Sequence, residues 1–172
     1  MPKIDRRGLL TGVAAAAGAA AAMSKAQAMP AAIKTDAIKK EADVACVYHC
    51  DFGDPARFAQ FLNNISNHYS VYGSNTFDIQ LVAVVHSVGV KFFLDNLEGT
   101  SWQNETIPPD LWERLVSLSK NGLVVYLCEI TFQRLKIDKA KVRDASFIKF
   151  VPSGVATVAA LQSKGFGYLK VG

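Results

Sequence analysis

The chain reads as an α/β protein, a flavodoxin-like three-layer sandwich built on a mostly parallel sheet of five strands. Three observations lead there. Short alternating or apolar runs recur at residues 44–50, 77–85, 123–131, 147–151 and 166–171, each of strand length and bounded by turn residues. The stretches between them carry apolar residues at helical spacing, so strands and helices alternate, the pattern of a parallel sheet with helices on both faces. The later half of 77–85 and most of 123–127 are apolar throughout, as strands covered on both sides must be.

Residues 1–28 read as an export leader rather than part of the fold. Asp5-Arg6-Arg7-Gly8-Leu9-Leu10-Thr11 resembles a twin-arginine motif, an Ala/Gly run follows, and Ala26-Gln27-Ala28 offers a small-residue cleavage site. The apolar run of about 15 residues falls short of the roughly 20 a spanning helix needs. The expectation is export to the periplasm, cleavage near Ala28 and no membrane span in the mature form. The leader also carries most of the charge imbalance. Of 19 basic and 15 acidic side chains, four and one lie in residues 1–28, leaving 15 and 14. A nearly neutral mature chain gives no reason to expect nucleic acid as a partner.

Residues 29–43 are small, charged and unpatterned, a linker or loosely held arm. The domain is expected over 44–172. Its first strand alternates, with Val44, Cys46, Tyr48 and Cys50 on one side and Ala45, Val47 and His49 on the other. Asp54 and Pro55 supply an N-cap and a first helical residue. Phe58, Phe61, Leu62, Ile65 and Tyr69 then share one helical face, and Gly73 closes the helix. The second strand, 77–85, runs into His86-Ser87-Val88-Gly89-Val90, with a short helix expected at Phe92, Phe93 and Leu94 and a loop over 95–107. Pro108 or Pro109 opens a helix with Leu111, Trp112, Leu115, Val116 and Leu118 as its apolar set. The turn pair Asn121-Gly122 leads into the strand that ends in Cys128, after which Thr131 is expected to cap a helix. A charged stretch, a fourth strand, the turn Pro152-Ser153-Gly154, a helix closed by Gly165 and a fifth strand complete the domain.

Chemistry concentrates at strand ends. Cys128 stands at the carboxyl end of a central strand, where open α/β sheets place their ligand crevices, next to a helix start that favours a thiolate. The plain alternative is an inert buried cysteine. Glu129 raises a thiol pKa if it points inward, although neighbours on an extended segment face opposite ways. His86 ends the second strand and can stabilise a thiolate or pass a proton, or simply bond the backbone. Cys46-x-x-x-Cys50 with His49 between them lacks the usual zinc or redox spacing. On one strand the two cysteines lie roughly 13 Å apart, too far for a disulfide. Cys46 is expected in the core, and Cys50 at a strand end shared with Cys128. His68 reads as structural or solvated. Three cysteines leave at least one thiol without an intramolecular partner. No phosphate loop or dinucleotide fingerprint is present, and no cofactor is implied.

Three segments together carry a resemblance. His86-Ser87-Val88-Gly89-Val90-Lys91-Phe92 after an apolar strand, Asn121-Gly122-Leu123-Val124-Val125-Tyr126-Leu127-Cys128, and Val151-Pro152-Ser153-Gly154-Val155 with Leu161-Gln162-Ser163-Lys164-Gly165-Phe166-Gly167-Tyr168-Leu169-Lys170 are similar to motifs of the DsrE/DsrF-like family. Ser87 stands where that family often has glycine. The resemblance implies a small α/β subunit that assembles as a homotrimer or homohexamer. It also implies a strand-end cysteine, here Cys128, that carries sulfur as a persulfide between a donor and an acceptor protein or small thiol. The reading for function is a periplasmic sulfur-carrier or sulfurtransferase-type protein, with Cys128 as the sulfur acceptor and His86 assisting. The alternative is a non-catalytic oligomeric binder of a small ligand, or of a metal held by Cys50, His86 and Cys128.

Overall fold

The computed structural model describes residues 29–73 and 78–172. The export leader expected over 1–28 and Phe77, expected to open the second strand, lie outside the described residues. In chain order the elements are β1 (Ala31–Ala32), β2 (Val44–Cys50), α1 (Pro55–Val71), β3 (Ile79–Val85), α2 (Pro109–Ser119), β4 (Val124–Cys128), α3 (Glu129–Leu135), β5 (Ile148–Val151), α4 (Gly154–Ser163) and β6 (Gly167–Lys170). Short 3-10 turns occupy Thr35–Ala37, Ser87–Phe93 and Lys139–Lys141.

The strands form one sheet in the order β1-β5-β4-β3-β2-β6, and every pairing is parallel. The α/β class is the expected one, with six strands among the described residues in place of five. The extra strand is β1, whose two alanines pair with Lys149 and Phe150 at the edge, followed by a hydrogen bond from Ile33 N to Phe150 O at 2.9 Å. A two-residue edge strand is made by backbone groups alone and leaves no alternation to read. Residues 29–43, expected to be a linker, therefore run partly along the sheet, and Ile38 is buried against it.

Alternation along each strand sorts the interior into two apolar layers. Tyr48 and Cys50 of β2, Leu81, Ala83 and Val85 of β3, and Val125 and Leu127 of β4 face one layer, which α1, α2 and Phe132 of α3 fill. Ala45 and Val47, Val82 and Val84, and Tyr126 face the other, covered by Val158 and Leu161 of α4. The first layer is rich in rings: Phe58 stacks on Phe92 with centroids 4.1 Å apart, and Phe132 meets Phe150 edge-on at 5.2 Å. Each such fully buried side chain contributes about 1.5–3 kcal/mol relative to exposure.

The helix boundaries follow their caps. Asp54 accepts from Arg57 N at 2.7 Å with Pro55 at the first helical position, and Ser153 Oγ accepts from Ala156 N at 3.3 Å at the start of α4. One expected boundary moves. The helix after β4 begins at Glu129 with Cys128 itself as the N-cap residue, three residues before the expected cap. Thr131 is not the cap, because its hydroxyl accepts from Ser87 N at 3.0 Å instead. The short helix expected at 92–94 is the end of a longer 3-10 run starting at Ser87. No described helix is long and apolar enough to cross a membrane.

Candidate functional site

The chain leaving β4 turns into α3 on one face of the sheet, and the chain leaving β5 turns into α4 on the other. Adjacent strands whose continuations diverge open a crevice beyond their carboxyl ends, the usual ligand position in open α/β sheets. Here the crevice has a volume of about 460 Å³ and is lined by His86, Ser87, Cys128, Thr131, Arg134 and Ser153 among others. Its rim is apolar and solvent-facing at Ile130, Leu135 and Val155.

Cys128 forms part of the crevice wall. It is 5% exposed, buried among the hydrophobic residues, and what little it shows lines the crevice. The neighbouring carboxylate of Glu129 is engaged by Lys139 in an ion pair. The carbon next to the thiol lies close to Gly154, the first residue of α4. A Cβ at Gly154 would lie 3.1 Å from both Cβ and Cδ2 of His86 and 3.2 Å from Cβ of Cys128. The imidazole and the cysteine thus meet across a residue with no side chain, which lets α4 close against both.

His86 is held by its backbone: its N–H donates to Cys50 O at 3.0 Å. The next residue, Ser87, sits at φ 54, a left-handed conformation that glycine adopts without cost and serine does not. Its N–H is fixed by Thr131, so the turn after β3 is tied to the helix after β4. The His86 ring turns toward β2, and its Nε2 lies 2.7 Å from Nε2 of His49. His49 Nδ1 lies 2.8 Å from the Tyr168 hydroxyl, and Lys170 donates to Asp51 Oδ2 at 2.8 Å. Burial lowers the pKa of both imidazoles; for His49 the proximity of His86 adds to it. Burial alone would raise Asp51, but the Lys170 hydrogen bond and the nearby positive charge prevail and leave its carboxyl below the ordinary value.

The other sequence candidates lie elsewhere. Cys50 does not share the crevice with Cys128. It is fully buried in the α1 layer, with its thiol toward Phe52 O at 3.9 Å, and burial pushes its pKa far up. The reason is parity: Cys50 follows Tyr48 onto the α1 face, whereas His49, His86 and Cys128 continue the opposite set. A metal set of Cys50, His86 and Cys128 is therefore not assembled. Cys46 is half-buried beside Gly167 on β6, and burial raises its pKa. His68 is structural, with Nδ1 3.1 Å from the Tyr48 hydroxyl. Sequence reasoning passed over His49 and Asp51 as site residues. The alternation of Ala45, Val47 and His49 was the signal for the first, and the strand end for the second.

A recessed thiol with an adjacent imidazole in a roomy crevice suits nucleophilic sulfur chemistry on a small or extended donor. The family model described as DsrE/DsrF-like family matches residues 16–171. No curated protein matches the chain. Among solved structures, the chain is similar to the protein of unknown function MTH1491 from Methanobacterium thermoautotrophicum, at 19% identity and a TM-score of 0.58, over 74% of this chain and 99% of that one. At that identity the likeness concerns the fold.

Proposed function

We propose, from the premise that this chain belongs to the DsrE/DsrF-like family, that it relays sulfur, with Cys128 accepting a sulfane sulfur atom as a persulfide and passing it on. The observation that carries the reading is the position of Cys128 at the carboxyl end of β4, in the wall of the crevice. The Cys128 thiolate attacks the outer sulfur of a donor persulfide. The donor's S–S bond breaks, the donor leaves as a thiolate, and a new S–S bond forms at Cys128, with no net change in oxidation state. The acceptor's thiolate then repeats the exchange on the outer sulfur and leaves Cys128 as it began. Whichever thiolate is the stronger base keeps the proton, and His86, which lines the same crevice and shares its Nε2 proton with His49, holds it in transit in this reading.

The exposed apolar rim at Ile130, Leu135 and Val155 supports a donor or acceptor protein docking over the crevice, or a small thiol entering it. Assembly as a homotrimer or homohexamer, and export through the twin-arginine leader with work in the periplasm, belong to the same proposal. The test is intact mass after incubation with a persulfide or polysulfide donor. The wild type is expected to gain the mass of one sulfur atom, reversed by a reducing thiol, and Cys128→Ser to gain none. An unchanged wild type, or equal gain in Cys128→Ser, overturns the reading.

A further inference from the structure

We infer that His49, Asp51 and His86 form a binding site for one divalent transition-metal ion of the zinc class, separate from the thiol. Their ligand atoms, the two imidazole nitrogens and a carboxylate oxygen, all lie within 4.8 Å of one another. The three residues come from the carboxyl ends of two hydrogen-bonded strands, in which His49 pairs with Val84 and Cys50 with Val85. Register and parity bring them together, so the backbone already holds the set in place.

The side chains are oriented as metal ligands usually are. His49 offers Nε2 to the centre while Nδ1 lies 2.8 Å from the Tyr168 hydroxyl, the outer partner that fixes tautomer and ring orientation in metal-ligating histidines. Both imidazoles are half-buried, and the proton in the hydrogen bond between the two Nε2 atoms shifts to an Nδ1 when both ligate, since a ligating imidazole nitrogen carries no proton. Around a tetrahedral ion with bonds of about 2.0–2.2 Å, ligand atoms stand roughly 3.3–3.5 Å apart. The Nε2 pair at 2.7 Å would open by several tenths of an ångström and the carboxylate would swing inward, both by side-chain rotation. Two imidazoles and one carboxylate suit zinc and its neighbours, and three protein ligands leave a fourth position for solvent or a small ligand.

Lys170 is the competing cation. Its ammonium pairs with Asp51 from β6, opposite His49 in the register. It must release the carboxylate for the ion to bind, which makes it a brake on affinity and gives the proposal a distinctive test. The inference uses neither Cys128 nor its sulfur chemistry; His86 is common to both readings, and metal binding by Cys128→Ser tells them apart.

The experiment titrates chelator-treated full-length protein with Zn²⁺ against a chromophoric competitor, and with Co²⁺ for its absorption spectrum. The wild type is expected to bind one ion per chain, with no thiolate charge-transfer band in the Co²⁺ form. His49→Gln and Asp51→Asn each lose affinity by more than the roughly 10–100-fold that removal of an outer-shell partner costs, and Tyr168→Phe loses about tenfold. Lys170→Met gains affinity, a change that misfolding cannot produce. Cys128→Ser binds as the wild type does. Absence of stoichiometric binding by the wild type, binding that survives His49→Gln with Asp51→Asn, loss of binding in Cys128→Ser, or equal or weaker binding in Lys170→Met each overturns the proposal.

Discussion

Nε2 of His49 and Nε2 of His86 face each other at 2.7 Å across the carboxyl ends of β2 and β3. At that distance one proton is shared between them, and two imidazolium ions cannot coexist without repulsion. The pair thus prefers to stay neutral, and burial pushes both pKa values below the ordinary 6.5.

A pH dependence of stability follows. Unfolded histidines take up protons near pH 6.5 and the folded pair does so only at lower pH, so the unfolded state binds more protons in that window. The stabilisation is complete above pH 6.5 and is lost as pH falls through the folded values. His68, also lowered by burial, adds to the same window. Asp51 acts lower: its contribution is complete above the ordinary 3.8 and is lost as pH drops below it. Thermal midpoints measured between about pH 7 and pH 5 are expected to fall in the wild type and to fall less in the His49→Gln, His86→Gln double variant. Equal slopes in the two proteins contradict the coupling.

Ser87 pays a conformational cost at φ 54. Ser87→Gly removes it while keeping the N–H that Thr131 accepts, so stability is expected to stay level or to rise by up to about 1 kcal/mol. Thr131→Val removes the acceptor and leaves that N–H without a partner, at about 1–3 kcal/mol. Denaturant unfolding of the two variants checks both signs.

Gly89 has no room for a side chain. A Cβ there would lie 2.8 Å from Cys50 O and 2.9 Å from Cys50 Sγ, and the backbone oxygen cannot step aside. Gly89→Ala is expected to cost about 1–3 kcal/mol. Gly154→Ala meets only side-chain carbons of His86 and Cys128, at 3.1–3.2 Å. It is expected to cost about 1 kcal/mol and to slow sulfur loading by moving the imidazole and the thiol apart. Melting curves and loading rates measured together separate the two glycines.

Cys50 and Cys128 are expected to differ in kind. Cys50→Ser places a hydroxyl in a fully buried apolar site and should cost about 1–3 kcal/mol while leaving persulfide loading intact. Cys128→Ser should abolish loading with little effect on stability.

Much of the fold was legible because burial leaves a period. The alternation from Val44 to Cys50, the five apolar residues on one face of α1 and the Asp54-Pro55 start all appear as read. The edge strand β1 left no such trace, since backbone pairing alone makes it. The start of α3 was misplaced because Thr131 is a good capping residue by type, and only the tertiary contact with Ser87 shows that its hydroxyl is used elsewhere. For the site, strand-end position pointed to His86 and Cys128, which do line one crevice. Treating all strand ends as one neighbourhood erred for Cys50. The two faces of a sheet end on opposite sides, and counting parity from Tyr48 separates Cys50 from the crevice.

The central claim is that the thiol of Cys128 is reachable in the folded protein, and the most direct measurement is the alkylation rate of each cysteine under native conditions, resolved by peptide mass. Cys128 is expected to react well ahead of Cys50, whose thiol opens to reagent only through unfolding. Labelling of Cys128 no faster than that of Cys50 would contradict the account.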